Sequence, residues 1–263
     1  MRVKKIVGLK GTASGWAGEN SARTETATTE LVAVHPSFGE LYAYPAITRH
    51  LLEDIAFDLE QWLLESVATE FAVREGAAFI SGNGVTKPLG FLSFPVGAAP
   101  NTEADAIRTP GRLQYIATGA DGAFGAAPAM ADKLVELVYS LRAGYRANAT
   151  WVMNSTTAGA VRRLKDSEGR FLWTDGLVIG QPPSLLGYPV LICEDMPTFS
   201  TTGAFAVAFG DFRAGYLVAD RAGLTMVRDE ISQPGTIKFY VAKRVGGAML
   251  DSDAIKLLKF SAT

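Results

Sequence analysis

Apolar and polar positions change period several times along this chain. Two short β-prone runs lie close together, Leu31-Val32-Ala33-Val34-His35 and Leu41-Tyr42-Ala43-Tyr44. The preceding stretch, 10–30, is poor in large aliphatics and rich in Thr, Ala, Ser and Gly, so it cannot bury a core by itself. Taken alone it reads as a linker. Trp16 and the β-prone runs that follow make it a long β-hairpin projecting from the body, with a polar tip near residues 17–30. An isolated hairpin is marginal in water, so such an arm makes sense lying on a neighbouring subunit. Residues 1–9 alternate basic and apolar positions (Val3, Ile6, Leu9) and suit a short strand or arm.

The pattern then turns helical. A helix is predicted over 55–80, with Asp54 as N-cap and Gly82 and Gly84 as stops. At 1.5 Å per residue it is about 38 Å long. Asp54, Asp58, Gln61 and Glu65 fall on one narrow stripe, continued by Ala68 and Ala72. Most of the remaining circumference is apolar, which predicts a helix packed on most sides with one acidic strip in water. Residues 92–128 are loop-rich around a strand at 113–117. An α/β segment follows, with a helix over roughly 131–146, a strand at 150–153, and a helix opened by Asn154 that ends near Lys165. Strands are predicted at 188–193, 204–209, 216–218, 224–227, 237–241 and 254–260, and the fold class is α+β.

Composition removes several kinds of function. The 263 residues are 48% hydrophobic and 10% aromatic, enough for a sizeable core. Cys193 is the only cysteine, so no internal disulfide forms, and with His35 and His50 it makes no zinc site of the usual spacing. A net charge of -2 argues against a protein that grips nucleic acid by neutralising phosphate. No apolar run reaches the roughly 18 residues a membrane helix needs. The segment Gly82-Asn83-Gly84-Val85-Thr86-Lys87-Pro88 fails the phosphate-loop pattern, because Pro88 stands where Ser or Thr is required and the segment follows a helix. Glu194-Asp195, at a strand end, is the one carboxylate pair a hydrolase could use; a solvated turn is the better reading. No catalytic, cofactor-binding or metal residues are therefore expected.

Ordered motifs carry a resemblance. Glu40-Leu41-Tyr42-Ala43-Tyr44-Pro45-Ala46, the long helix, Glu75-Gly76-Ala77-Ala78-Phe79-Ile80-Ser81-Gly82-Asn83-Gly84 and Lys87-Pro88-Leu89-Gly90-Phe91 come first. Trp151-Val152-Met153-Asn154, Leu164-Lys165-Asp166, Leu186-Gly187-Tyr188-Pro189-Val190, Glu194-Asp195-Met196-Pro197, Phe209-Gly210-Asp211-Phe212 and Lys243-Arg244-Val245-Gly246-Gly247 follow, with Ile255–Phe260 closing the chain. In this order, over nearly the whole chain, they resemble the major capsid protein of tailed bacteriophages, Hong Kong 97 type. The capsid of a gene transfer agent, a domesticated phage particle carrying host DNA, is a close variant.

The resemblance implies a division of the chain. Residues 1–9 are a residual arm, 10–47 the extended loop, 48–127 and 223–263 the peripheral domain with the spine helix at 55–80, and 128–222 the axial domain. The match starts almost at the extended loop, which implies a processed or trimmed chain. The implied function is structural: pentamers and hexamers of one protein closing an icosahedral-type shell around double-stranded DNA, assembled in the bacterial cytoplasm, with a portal and decoration proteins as further partners. Trp16, Glu19, Arg23, Glu25 and Glu30 are the implied contacts of the loop with adjacent subunits. Asp54, Asp58 and Glu65 would face the lumen. Some relatives crosslink a loop Lys to a neighbour's Asn, assisted by a Glu. Aligning on Arg244 puts Gly235 and Ala242 at those two places, so the crosslink chemistry is lost and Lys10 is the only Lys in the loop. An encapsulin compartment and, more distantly, a hydrolase acting through Glu194 and Asp195 are the alternatives.

Overall fold

A computed structural model describes residues 3–6, 14–19, 22–23, 25–26, 31–54, 58–93, 102–104, 112–124, 129–164, 173 and 184–262. In chain order the first elements are β1 (Val3–Ile6), β2 (Leu31–Val34), β3 (Ser37–Ala43), β4 (Ala46–Thr48), α1 (Arg49–Asp54) and α2 (Leu59–Ser81). Next come β5 (Thr102–Ala104), β6 (Leu113–Ala117), α3 (Ala129–Ser140), α4 (Ala143–Arg146), β7 (Thr150–Met153) and α5 (Ser155–Arg162). The rest are β8 (Ser184–Leu185), β9 (Tyr188–Ile192), β10 (Phe205–Gly210), α6 (Phe212–Gly215), β11 (Tyr216–Asp229), β12 (Thr236–Met249) and β13 (Ile255–Lys259). The chain divides into two compact units, one of residues 1–35, 100–217 and 249–263, the other of 36–99 and 218–248.

The first unit is built on a seven-stranded mixed sheet in the order β5-β6-β13-β10-β7-β9-β8. Its middle strands are buried, as strands covered on both faces are. Trp151, Met153, Val207, Phe209 and Leu258 are fully enclosed there. The rings of Trp151 and Phe209 lie 4.4 Å apart, and the Trp151 Nε1 donates to the carbonyl of Leu185 at 3.0 Å. Leu134, Leu137 and Val138 bring one face of α3 onto this core at helical spacing, and Leu141 just past its end joins them. A Cβ on Gly210 would stand 2.1 Å from the carbonyl oxygen of Ala254, so only glycine allows β10 to pass so close.

The second unit is a sheet in the order β11-β12-β3, with β4 also pairing β12, and α2 packed on it. Val67 and Phe71 of α2 meet Val241, Leu41 and Ala43. Ion pairs tie the same helix to the sheet: Glu60 to Arg228 at 2.5 Å and Glu75 to Lys243 at 2.7 Å. Past Gly82 the chain turns sharply, and the Asn83 side-chain oxygen accepts the backbone N–H groups of Val85, Thr86 and Lys87. The glycine-rich segment is thus a turn organised by one Asn, and it closes a helix.

Several expectations are corrected. Leu41–Ala43 does not form an arm with the residues before it, because Lys243 pairs with Leu41 and Val241 with Ala43. The partner of β2 is β1, with Val3 opposite Val34, so the hairpin assigned to 10–47 is bounded by strands at 3–6 and 31–34. Residues 255–259 pair with β10 and β6. Main-chain bonding therefore places 249–263, and 113–117 with it, in the unit of 128–217 and not with the long helix. That helix is capped by Asp58, whose side chain accepts from Gln61 N at 3.0 Å, while Asp54 ends α1. The helix expected over 131–146 breaks at Arg142, whose backbone is extended. Strands expected separately at 216–218 and 224–227 are one, β11.

Candidate assembly surfaces

In the β1–β2 hairpin, Trp16 is wholly exposed at 106%, and Glu19, Arg23 and Glu25 are exposed as well. Glu30 lies outside the described residues. An indole in water is a large unburied apolar area.

Asp54, Asp58 and Glu65 are all exposed, and the Gln61 side chain donates to Glu65 at 2.8 Å along the same strip. Glu60 and Glu75 differ: they are engaged by Arg228 and Lys243 of the sheet, whereas Glu70 is exposed and pairs with Arg74 on the helix itself. The expectation of a helix packed on most sides does not hold. The face toward the sheet is covered and Leu59 and Ile80 are buried near the two ends, but Trp62 and Val73 on the far side are 55% and 57% exposed. A single sheet reaches one stripe of a helix, not its circumference.

Gly235 stands in the turn before β12 with φ +82, and its carbonyl accepts the Arg49 N–H at 3.0 Å. Ala242 lies opposite Tyr42 in the ladder. Glu194 is tied down: its carboxylate accepts from Ser155 and its carbonyl from the Asn154 side chain, at 3.0 and 3.1 Å. It helps hold the start of α5, and Asp195 beside it is exposed. Among the described residues no three His, Cys, Asp or Glu side chains converge on a metal position.

A surface missed in the sequence lies on the second unit. Alternation along β3 and β12 turns Leu41, Ala43 and Val241 toward α2 and Tyr42 and Tyr240 away from it. The rings of Tyr42 and Tyr240 stack at 6.4 Å, and Tyr44 meets Tyr240 edge-on at 5.9 Å. The Tyr44 hydroxyl donates to Asp229 at 3.2 Å and the Tyr240 hydroxyl to Glu40 at 3.1 Å. Asp229 also accepts from the Ser232 side chain and from the N–H groups of Ser232 and Ile231, which hold its carboxyl well below the usual carboxylate range. Beside the rings a concavity of about 420 Å³ is lined by Tyr44, Val227, Arg228, Asp229, Glu230, Ile231 and Tyr240. The Tyr-Ala-Tyr alternation was the available signal, but it does not say which strand faces it.

The phage capsid family matches residues 1–260. The chain belongs to that family. A capsid chain of an empty GTA (gene transfer agent) particle, computed with C5 symmetry, is 49% identical over 99% of this chain and 85% of that one, with a TM-score of 0.86. The capsid of a native GTA particle is 48% identical with the same coverage and a TM-score of 0.87. A chain from Microbacterium phage Oxtober96 is 15% identical over 99% of this chain and 86% of that one, at a TM-score of 0.65, which shows the shared fold. No curated protein matches. The fold is the Hong Kong 97 type, and the protein is a structural capsid protein of a tailed phage or GTA particle.

Proposed function

We propose that this chain is the major capsid protein of a GTA-type particle, forming rings of five and six copies that close a shell around double-stranded DNA. The observation that carries this reading is 49% identity across 99% of the chain with the capsid of a GTA particle. Rings are heterologous interfaces that close by rotation. Many standard-size contacts would stabilise the particle. In this reading Trp16, Glu19, Arg23, Glu25 and Glu30 contact adjacent subunits. The 128–217 region forms the axial contacts, the unit with the long helix is peripheral, and no catalytic step belongs to the protein. A portal and decoration proteins complete the particle, which assembles in the bacterial cytoplasm.

Asp54, Asp58 and Glu65 form the inner wall. Carboxylates there repel phosphate across about 8–10 Å in physiological salt, so the DNA is confined and not gripped. Asp54→Lys with Glu65→Lys leaves the Asp58 cap intact and should make DNA release from opened particles salt-dependent; unchanged release would assign the stripe to solvation alone.

The deciding experiment is electron microscopy of purified particles with sequencing of the DNA inside. Fragments drawn from across a host genome support a GTA, and one repeated genome supports a phage. A chain that stays monomeric under all assembly conditions overturns the shell.

A further inference from the structure

We propose that Lys256 and Gln114 join by an amide bond between their side chains, a covalent modification that staples β13 to β6 inside each chain. The site lies within one unit of one copy and does not depend on the shell reading.

The two side chains are placed for it. Lys256 and Gln114 stand opposite each other in the parallel β13–β6 ladder. Both are buried, at 4% and 5% exposure, and the Lys256 Nζ donates to the Gln114 Oε1. Register partners share a face of the sheet. The same row carries Phe209 of β10 and Trp151 of β7 on the other side of Lys256. Phe209 and Trp151 are fully enclosed, as are Ile255, Leu257 and Leu258 of β13. Amine and carboxamide therefore meet in an apolar interior, where a charged ammonium is poorly solvated and the neutral amine is the nucleophile. Glu103 of β5 holds the register position beyond Gln114, so the row also contains a carboxyl-bearing residue.

The step is an amide exchange. The neutral Nζ of Lys256 adds to Cδ of Gln114, and the bond from Cδ to Nε2 breaks. One proton passes from Nζ to Nε2, which leaves as ammonia, and Glu103 carries that proton. One amide replaces another, so no oxidant, reductant or further reactant enters. The last side-chain torsion of Gln is soft, so the carboxamide can turn its carbon toward an amine already held at its oxygen. Well-oriented intramolecular reactions reach effective molarities of about 10⁵ M or more. In the sheet order, β5 and β6 join the remaining strands through β13. That ladder is parallel, the slightly weaker kind. The bond fixes the pair there and links positions 142 apart, closing a long loop that an unfolded chain would otherwise explore. It happens once per chain and consumes no substrate, so the protein remains structural. Because both side chains belong to one copy, it adds no band to a denaturing gel.

The test is the intact mass of full-length wild-type chain in denaturant, followed by a peptide map. The chain should be lighter than its sequence by one ammonia, and digestion should release a branched peptide joining Gln114 to Lys256. Lys256→Arg and Gln114→Glu should each restore the full sequence mass. Glu103→Gln should slow bond formation about 100-fold or more, read as the linked fraction against time after synthesis. Wild-type chain at full sequence mass, with Gln114 and Lys256 in separate peptides, overturns the proposal even if no variant folds. A mass loss that persists in Lys256→Arg also overturns it, since the ammonia then comes from elsewhere. Linking of Glu103→Gln at the wild-type rate overturns the proton transfer assigned to Glu103.

Discussion

Lys243 on β12 and Glu75 on α2 form an ion pair at 2.7 Å, with side chains only 23% and 16% exposed. The next carboxylate, Asp220, is 3.9 Å from the same ammonium. The pair ties α2 to β12 in addition to the apolar contacts of Val67 and Phe71 with the sheet. Glu75→Ala leaves a largely buried ammonium with only the more distant Asp220, and stability should fall by about 2 kcal/mol. Glu75→Gln should recover part of the loss, since it keeps an acceptor. Urea unfolding of unassembled chain reads both.

Asn154 joins two links with one side chain. Its oxygen accepts the Thr156 N–H at 2.8 Å and its nitrogen donates to the Glu194 carbonyl at 3.1 Å. Asn154→Ala loses both, and a cost of about 1–2 kcal/mol is expected. Asn154→Asp should retain the cap and lose the second bond. Comparison of thermal melts separates the two contributions.

Trp151 fills the centre of the seven-stranded sheet and is fully enclosed. Trp151→Ala should cost about 3–5 kcal/mol. Trp151→Phe keeps much of the packing but strands the Leu185 carbonyl, adding about 1–3 kcal/mol to the smaller cavity cost. If Trp151→Phe matched the wild type in denaturant, the indole hydrogen bond would carry no net stability.

Tyr145 gives a pH dependence with a definite sign. Burial, then its hydrogen bond to Asp251 at 2.8 Å, raise its pKa to about 12 from 10.0. The folded chain therefore favours the neutral phenol more than the unfolded chain does. This contribution is complete below about pH 10 and is lost as the pH climbs toward 12. Wild type should lose more stability across that window than Tyr145→Phe; parallel losses would show that the phenol is not coupled to folding.

Gly235 and Ala242 carry no carboxamide and no carboxylate, so the isopeptide chemistry of crosslinking relatives has no groups to act on at those positions. Particles boiled in detergent should run as a single band at the size of one chain. A ladder of covalent oligomers would refute the non-crosslinked shell.

What could be read from sequence was local. The Asn154 cap, the α3 apolar stripe of Leu134, Leu137 and Val138, and the strand at 113–117 each follow from residues within a few positions of one another. The Gly82–Pro88 turn was also legible, since a Gly-Asn-Gly run cannot continue a helix. The acidic stripe was legible only in part: Asp58 and Glu65 lie in water as their spacing implies, but Glu60 and Glu75 meet bases more than 160 residues away.

The chain alone determined which residues are helical, which alternate, and where a segment has too little apolar area to fold by itself, because these depend on short-range periodicity and on composition. Tertiary structure decided what each strand pairs with. Leu41–Ala43 went to β12 instead of an arm, and 255–259 went to the sheet of Trp151 instead of that of the long helix. Strand pairing joins residues whose separation leaves no mark in local sequence, and the choice among β-prone partners is made by the energy of the whole packed sheet. The same is true of the tyrosine face: Tyr42 and Tyr240 are 198 positions apart, and only the register of β3 on β12 brings their rings together.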